Sequence, residues 1–281
     1  MVDGQPVLAG RRLTDIHDLE AYAEEHQLSL VLSLPPALVR DGYPDSGWAS
    51  FANDCLLELK RRLTVSVDVL AILPWTDARA SIEEWDRIGD HCLGITVGAS
   101  IGGRSLSDPK HQDFWQHMDS AGGGLVLVHG GEHTDPRLQR FYLSNLVGYP
   151  HEDTVAVADL VFSGLPIQYP EIQWCVSHGG GSAAFLLGRW QRGYDTQRPG
   201  IDQAKPSPRA IFQHLWFDSV VHDLEALRFL MRQAPGRVVF GTDYPFPMGT
   251  EQHLEAGVMS DELKSQLVKG GQHLMRQLRK G

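Results

Sequence analysis

The sequence lacks three features that would each have defined a class of protein. Among 281 residues it has only three cysteines, Cys55, Cys92 and Cys175, which are too few and too widely spaced for a disulfide framework or a paired-cysteine metal knuckle. No stretch of about 18 apolar residues occurs, and no basic segment followed by an apolar run opens the chain. We therefore expect neither secretion nor membrane association, and a cytoplasmic location.

Positive charge is also scarce. Lys and Arg number 25 against 35 Asp and Glu, which gives a formal net charge of −10 at pH 7. A nucleic-acid backbone or an anionic membrane would repel such a chain, so these partners are excluded and a small-molecule substrate is favoured. With 42% hydrophobic residues the chain can bury one large core, and we predict a single domain over residues 1–281.

Short apolar runs rich in Val, Leu and Ile alternate with stretches of helical periodicity. This alternation is typical of βα units around a parallel sheet, and it favours a (β/α)8 barrel. The predicted strands are Leu28–Pro35, Val65–Pro74, Cys92–Ser100, Gly124–His129, Ile172–His178, Leu215–Val220 and Arg237–Asp243.

Only seven strands are predicted, whereas a barrel of this kind has eight. The segment before the first helical stretch, Met1–Leu13, is too short and too polar for a buried strand and its crossover. We therefore expect an α/β barrel that lacks its first strand.

Polar residues end three of the otherwise apolar strands. His129 ends the fourth strand, His178 the fifth and Asp243 the seventh. The carboxyl ends of parallel strands share one face, so these side chains are expected to converge there. Two imidazoles and a carboxylate are ligands that a zinc-like divalent ion accepts, and they also supply a base.

The segment Gly241–Pro247 places two prolines around Phe246 directly after this aspartate. Prolines restrict the loop, so the ring of Phe246 either faces a flat conjugated substrate or packs in the core.

The motifs in their order resemble the amidohydrolase-related, metal-dependent decarboxylases. They are SLPP at Ser33–Pro36, LVH at His129, the helical segment Asn145–Gly164, VSHGGG at Val176–Gly181, GRWQRGY at Gly188–Tyr194 and FGTDYPFPMG at Phe240–Gly249. The resemblance runs from about residue 3 to the C-terminus and implies an amidohydrolase-type barrel. It also implies loss of carbon dioxide from an unsaturated or aromatic carboxylic acid.

The same resemblance implies a single divalent ion, usually zinc. It would be held by an H-x-H pair on the first strand, by His129 and by Asp243. His178 would stand beside the metal-bound water as general base or proton shuttle, and as a possible third ligand in this chain. Asp243 and His178 are thus the implied catalytic residues.

Substrate contacts are implied as well. Arg189 would bind a substrate carboxylate across the boundary of a homodimer, Arg11 or its neighbour Arg12 would hold the other end, and Phe246 would pack against the substrate.

One departure from the pattern matters most: no H-x-H pair occurs anywhere in the chain. Two usual ligands are therefore missing, and we expect zinc, or another divalent ion, to bind weakly. His133, four residues after His129, is a poor substitute because it follows a glycine turn.

Two other functions stay open at this point. A metal hydroxide beside His178 would equally serve a hydrolase or hydratase of the same superfamily. Alternatively, the chain is a metal-free, non-catalytic remnant of a truncated gene.

Overall fold

Seven short strands form one parallel sheet, in which each strand pairs with the next one along the chain. The structure is a computed structural model that describes residues 15–34, 45–131, 135–250, 255 and 257–279. The strands are β1 Leu30–Leu32, β2 Val67–Ala71, β3 Gly94–Gly98, β4 Gly124–His129, β5 Ile172–Val176, β6 Trp216–Asp218 and β7 Val238–Val239.

Helices connect the strands and lie outside the sheet. Those that precede β5 are α1 Ile16–Glu25, α2 Ser46–Arg62, α3 Ala78–Ile88, α4 Gln112–Ser120, α5 Tyr149–Ser163 and α6 Leu165–Gln168. Those that follow β5 are α7 Ala183–Asp195, α8 Pro208–Phe212, α9 Leu224–Gln233 and α10 Asp261–Leu278. A short π-helix, Ser144–Gly148, leads directly into α5.

In the described part of the chain the sheet curls into a half-barrel of seven strands, one fewer than a closed (β/α)8 barrel, which confirms the expected fold. All seven strands lie where the apolar runs predict them, but most are shorter. The last one keeps only two of its seven predicted residues, because a parallel ladder ends where the loops of the carboxyl face begin.

Local sequence explains where the helices begin and end. Asp77 caps α3 by accepting a hydrogen bond from the Ala80 amide at 2.8 Å, and Asp223 caps α9 in the same way through Ala226. Leu227 and Leu230 bury one face of α9, as their spacing predicts.

The main core lies between the sheet and these helices. Its largest fully buried side chains include Trp115, Trp174 and Phe217. One apolar cluster extends from Ala71 on β2 to Leu267 on α10, and the single domain stays a prediction. Among the described helices, none is both long and apolar enough to cross a membrane.

Candidate active site

Three polar side chains stand at or just beyond the carboxyl ends of the strands. His129 is the last residue of β4, and His178 follows β5 by two residues in a 3-10 turn, His178–Gly180. Asp243 lies in the loop after β7. His178 and Asp243 both adopt left-handed backbone angles, with φ of 50° and 53°. Such angles are costly for residues other than glycine, and they cluster at functional sites.

These side chains line one cleft of about 800 Å³. Its wall is mostly apolar and aromatic and includes Phe141, Tyr142, Phe229, Leu230 and Phe246. Asn145, Ser182 and His222 add polar groups to it. A large, mostly apolar cleft with a few convergent polar groups is typical of a small-molecule site.

His129 is held as a neutral imidazole. Its Nδ1 lies 2.6 Å from the carbonyl oxygen of Gly130, which can only accept, so Nδ1 carries the proton and Nε2 keeps a lone pair. Burial, reinforced by the charge of His178, lowers the pKa of His129 to about 4. The ring centroids of the two histidines lie 4.7 Å apart, edge to face.

His178 forms a buried pair with Asp153. Its Nδ1 lies 2.6 Å from Oδ2 of Asp153 and 3.1 Å from the hydroxyl of Ser177. Burial alone would lower the pKa of His178, but the hydrogen bond and charge of Asp153, with Asp218 and Asp243 nearby, outweigh it and raise the pKa to about 9. The ring is therefore a cation at neutral pH.

Two further carboxylates surround this cation. Asp218, at the end of β6, accepts hydrogen bonds from the amides of Gly179 at 2.9 Å and Val220 at 3.1 Å, which ties the His178 turn to β6. Burial raises the pKa of Asp243 to about 6, although the charge of His178 opposes the shift.

The first turns of α5 place Asp153 beneath these strand ends, and two glycines permit the approach. A Cβ at Gly130 would lie 2.3 Å from the carbonyl oxygen of Tyr149, and one at Gly181 would lie 1.9 Å from that of Pro150. Gly181 also has a φ of 59°, which side chains rarely adopt. The glycines after both histidines thus allow α5 to pack against β4 and β5.

Four of the predicted site residues are brought to the cleft: His129, His178, Asp243 and Phe246. Arg189 is exposed on α7 and is not among the residues that line the cleft. It lies one helical turn after Phe185, which does line it. Arg11 and the substitute ligand His133 lie outside the described residues.

Metal binding can be tested against the donor atoms present. His129 fits the role of a ligand, because a metal-bound histidine usually donates its other ring N–H to an oxygen. His178 also turns Nε2 toward the cleft, since its Nδ1 faces Asp153, but its raised pKa keeps a proton on that nitrogen and leaves no lone pair for an ion. In the described part of the chain, no group of three or more His, Cys, Asp or Glu could hold an ion. The described residues therefore do not complete a metal site, and the predicted ligand set stays a prediction.

The strand-end argument missed Asp153, because it lies on a helix, and Asp218, because the predicted strand runs past it to Val220. A signal was nonetheless present. Asp153 stands in register with Ala156, Val157 and Leu160, at the spacing of one buried helix face. Ionised residues are almost never fully buried without a partner, so a carboxylate on that face indicates a buried basic partner.

The outer rim of the cleft differs from its floor. Phe141 and Phe185 are 74% and 79% exposed, and Tyr142 and Leu146 beside them are also exposed. Large side chains grouped in this way are typical of a surface that binds a ligand or another protein.

Comparison with known proteins gives a consistent picture. Residues 49–272 match the amidohydrolase family. The chain is 31% identical over 210 residues to 2-amino-3-carboxymuconate-6-semialdehyde decarboxylase of Dictyostelium discoideum, a match that covers 72% of this chain and 57% of that protein. The Caenorhabditis elegans protein of the same name is 28% identical over 238 residues, covering 72% and 58%. This chain thus spans less than two thirds of either relative.

Among solved structures, 5-carboxyvanillate decarboxylase of Novosphingobium aromaticivorans superposes with a TM-score of 0.82 at 18% identity. The match covers 97% of this chain and 84% of that one. That enzyme was crystallised with manganese and 4-hydroxy-3-methoxy-5-nitrobenzoic acid. At this identity the likeness shows the shared fold.

Proposed function

Because this chain belongs to the amidohydrolase family, we propose that it is a carboxy-lyase that releases carbon dioxide from an unsaturated or aromatic carboxylic acid. One observation carries the proposal: His178, with Nδ1 2.6 Å from the buried carboxylate of Asp153, faces a cleft lined by aromatic side chains. The raised pKa of His178 supports its role as a proton donor. The names of its relatives support the same reaction.

The reaction that this geometry serves is proton transfer followed by loss of the carboxylate. His178 donates the Nε2 proton to the carbon that bears the carboxylate, and a new C–H bond forms with electrons of the conjugated system. The C–C bond then breaks, its electron pair restores the conjugation, and carbon dioxide leaves. Water returns a proton to His178. The negative charge of Asp243 repels the substrate carboxylate. This repulsion is relieved when the carboxylate leaves as neutral carbon dioxide, which favours the loss.

Substrate binding uses the wall and the rim. Phe246 packs against the flat face of the substrate, since its ring lines the cleft. No Lys or Arg is among the described residues that line the cleft, so none of these residues offers a substrate carboxylate the bidentate contact of arginine. We propose that Arg189 of a second copy supplies it in a homodimer. The exposed rim and the exposed Arg189 on α7 support this arrangement.

Zinc, or another divalent ion, is proposed as a weakly bound cofactor, with His129 and Asp243 as its described ligands. The proton transfer is assigned to His178, because the described residues do not complete the metal site. Metal analysis after dialysis against zinc or manganese is expected to give less than one ion per chain. One tightly held ion per chain would contradict this expectation.

A substrate panel tests the proposed reaction. Purified full-length protein is incubated with resorcylate-like, salicylate-like and muconate-type acids, with matched amides and lactones as hydrolase substrates. Carbon dioxide and the decarboxylated product are expected from at least one acid. Hydrolysis or hydration products without carbon dioxide would replace the proposal by the hydrolase alternative. Turnover of none of them, with or without metal, would favour the non-catalytic remnant.

A further inference from the structure

Asp153 joins the two histidine-bearing strand ends through one buried side chain. Its Oδ1 accepts from the Gly130 amide at 2.6 Å and from the Ser177 hydroxyl at 3.3 Å, while Oδ2 faces Nδ1 of His178 at 2.6 Å. The residue is 0% exposed. Each carboxylate oxygen therefore has its own assigned partner.

We infer that Asp153 is a positioning residue that keeps a proton on Nδ1 of His178 and leaves Nε2 as the nitrogen available to the cleft. A carboxylate only accepts hydrogen bonds, so the nitrogen that faces it must carry a proton. The other ring nitrogen is the one left for a substrate, since His178 lines the cleft. The hydroxyl of Ser177 also lies close to Nδ1 of His178. It can accept a hydrogen bond from that nitrogen or donate one to Asp153.

The inference deepens the proposed function and rests on it for its catalytic consequence. When His178 gives up its Nε2 proton, the ring is left neutral with its proton on Nδ1, which is the form that Asp153 stabilises. A ring with the opposite tautomer would have to break the bond to Asp153. Asp153 itself touches no reacting atom.

An asparagine at position 153 is expected to reverse this arrangement. It has a single oxygen, and the buried Gly130 amide needs that oxygen as its acceptor. The NH2 group would then face Nδ1 of His178 and donate to it. The neutral ring is therefore expected to carry its proton on Nε2 in Asp153→Asn.

The first measurement does not depend on activity. Full-length protein labelled with 15N-histidine is examined by NMR across the pH range that includes the neutral ring, and His178→Asn identifies the signals of His178. The wild-type neutral ring is expected to be protonated on Nδ1, and that of Asp153→Asn on Nε2. A wild-type His178 ring protonated on Nε2 would overturn the inference, whether or not Asp153→Asn folds.

The second measurement separates positioning from stability. Asp159→Asn is the matched control, because Asp159 lies on the same helix and holds the Ser107 amide at 3.0 Å, yet it does not line the cleft. Asp153→Asn is expected to lower kcat by about 10- to 100-fold with little change in KM, as removal of such orienting partners usually does. The control is expected to stay within about twofold of the wild type, the size of effect typical of a surface change away from the site.

Equal kcat for Asp153→Asn and Asp159→Asn, with both folded by circular dichroism, would overturn the catalytic consequence. If the wild-type protein releases no carbon dioxide from any acid, the proposed function fails instead. The tautomer of His178 then still decides whether Asp153 positions the ring.

Discussion

Two buried carboxylates stabilise different parts of this molecule, and their partners differ. Glu84 on α3 is 5% exposed and accepts hydrogen bonds from Asn53 and Ser50 on α2, each at 2.7 Å, and from Arg87 at 2.8 Å. Asp153 on α5 is 0% exposed and pairs with a histidine. Both side chains satisfy their oxygens within the chain.

The difference lies in what the partner can do. The guanidinium of Arg87 does not lose its proton, so the Glu84 cluster does no more than join α2 to α3 and, through Asn53, to the backbone of Ile72, directly after β2. Imidazole exchanges a proton near neutral pH and presents a second nitrogen. A buried, hydrogen-bonded carboxylate thus stabilises the fold at both positions, but of the two only the Asp153 pair faces a cleft.

Replacing His178 tests this contrast with the largest expected effect. His178→Asn is expected to lower kcat for carbon dioxide release by about 100- to 10,000-fold, because the proton donor is lost. Steady-state kinetics measure it. His117→Asn, at a histidine whose Nε2 contacts Asp86 on the outside, is the control and should keep its activity. Comparable losses in both variants would mean that the cleft histidine has no special role.

Removing Glu84 tests the other half of the comparison. Glu84→Ala removes the acceptor of one N–H of the buried Asn53 amide and of the half-buried Ser50 hydroxyl, which is expected to lower the free energy of unfolding by about 2 kcal/mol. Urea unfolding measures it. The folded variant should retain wild-type kcat, and a selective loss of kcat would place Glu84 with the site instead.

Arg189 extends the comparison to exposed cations. Arg87 is paired inside the chain, whereas Arg189 is exposed and is proposed to serve the cleft of a second copy. Arg189→Ala is expected to raise KM for a carboxylic acid by about 10-fold, because a charged hydrogen bond is lost. Arg209→Ala, on α8, is the control. Sedimentation that shows a monomer at the assay concentration would contradict the shared site.

The smallest expected effect concerns pH. Burial opposes ionisation of Glu84, but its hydrogen bonds from Arg87, Asn53 and Ser50 prevail and lower its pKa below 4.5. A lowered folded-state pKa stabilises the protein above the unfolded pKa, and this contribution is lost as pH falls through the folded value. Urea unfolding at about pH 7 and about pH 4 should therefore show that acid lowers the free energy of unfolding less in Glu84→Gln than in the wild type. Identical losses in the two proteins would mean that Glu84 does not contribute to the pH dependence of stability.

Strand-end residues could be predicted because their positions follow from a local pattern. An apolar run that ends in His129 or His178 places that side chain on the carboxyl face of any parallel sheet. Asp153 could not be placed in the same way. It lies 25 residues before its partner His178, and only the packing of α5 on β4 and β5 brings the two together.

Arg189 shows the opposite limit. Its motif predicts a role in substrate binding, but Arg189 does not line the cleft of its own chain. A sequence pattern does not indicate where a second copy of the chain would bind.

By itself the sequence determined the order of strands and helices, the curled parallel sheet and the identity of the strand-end residues, because periodicity and chain direction are local properties. The tertiary structure alone decided which carboxylate pairs with His178, which ring nitrogen remains for the cleft, and that no described group of three ligands closes around a metal. Those outcomes depend on distances between segments far apart in the chain, and such distances are set by packing.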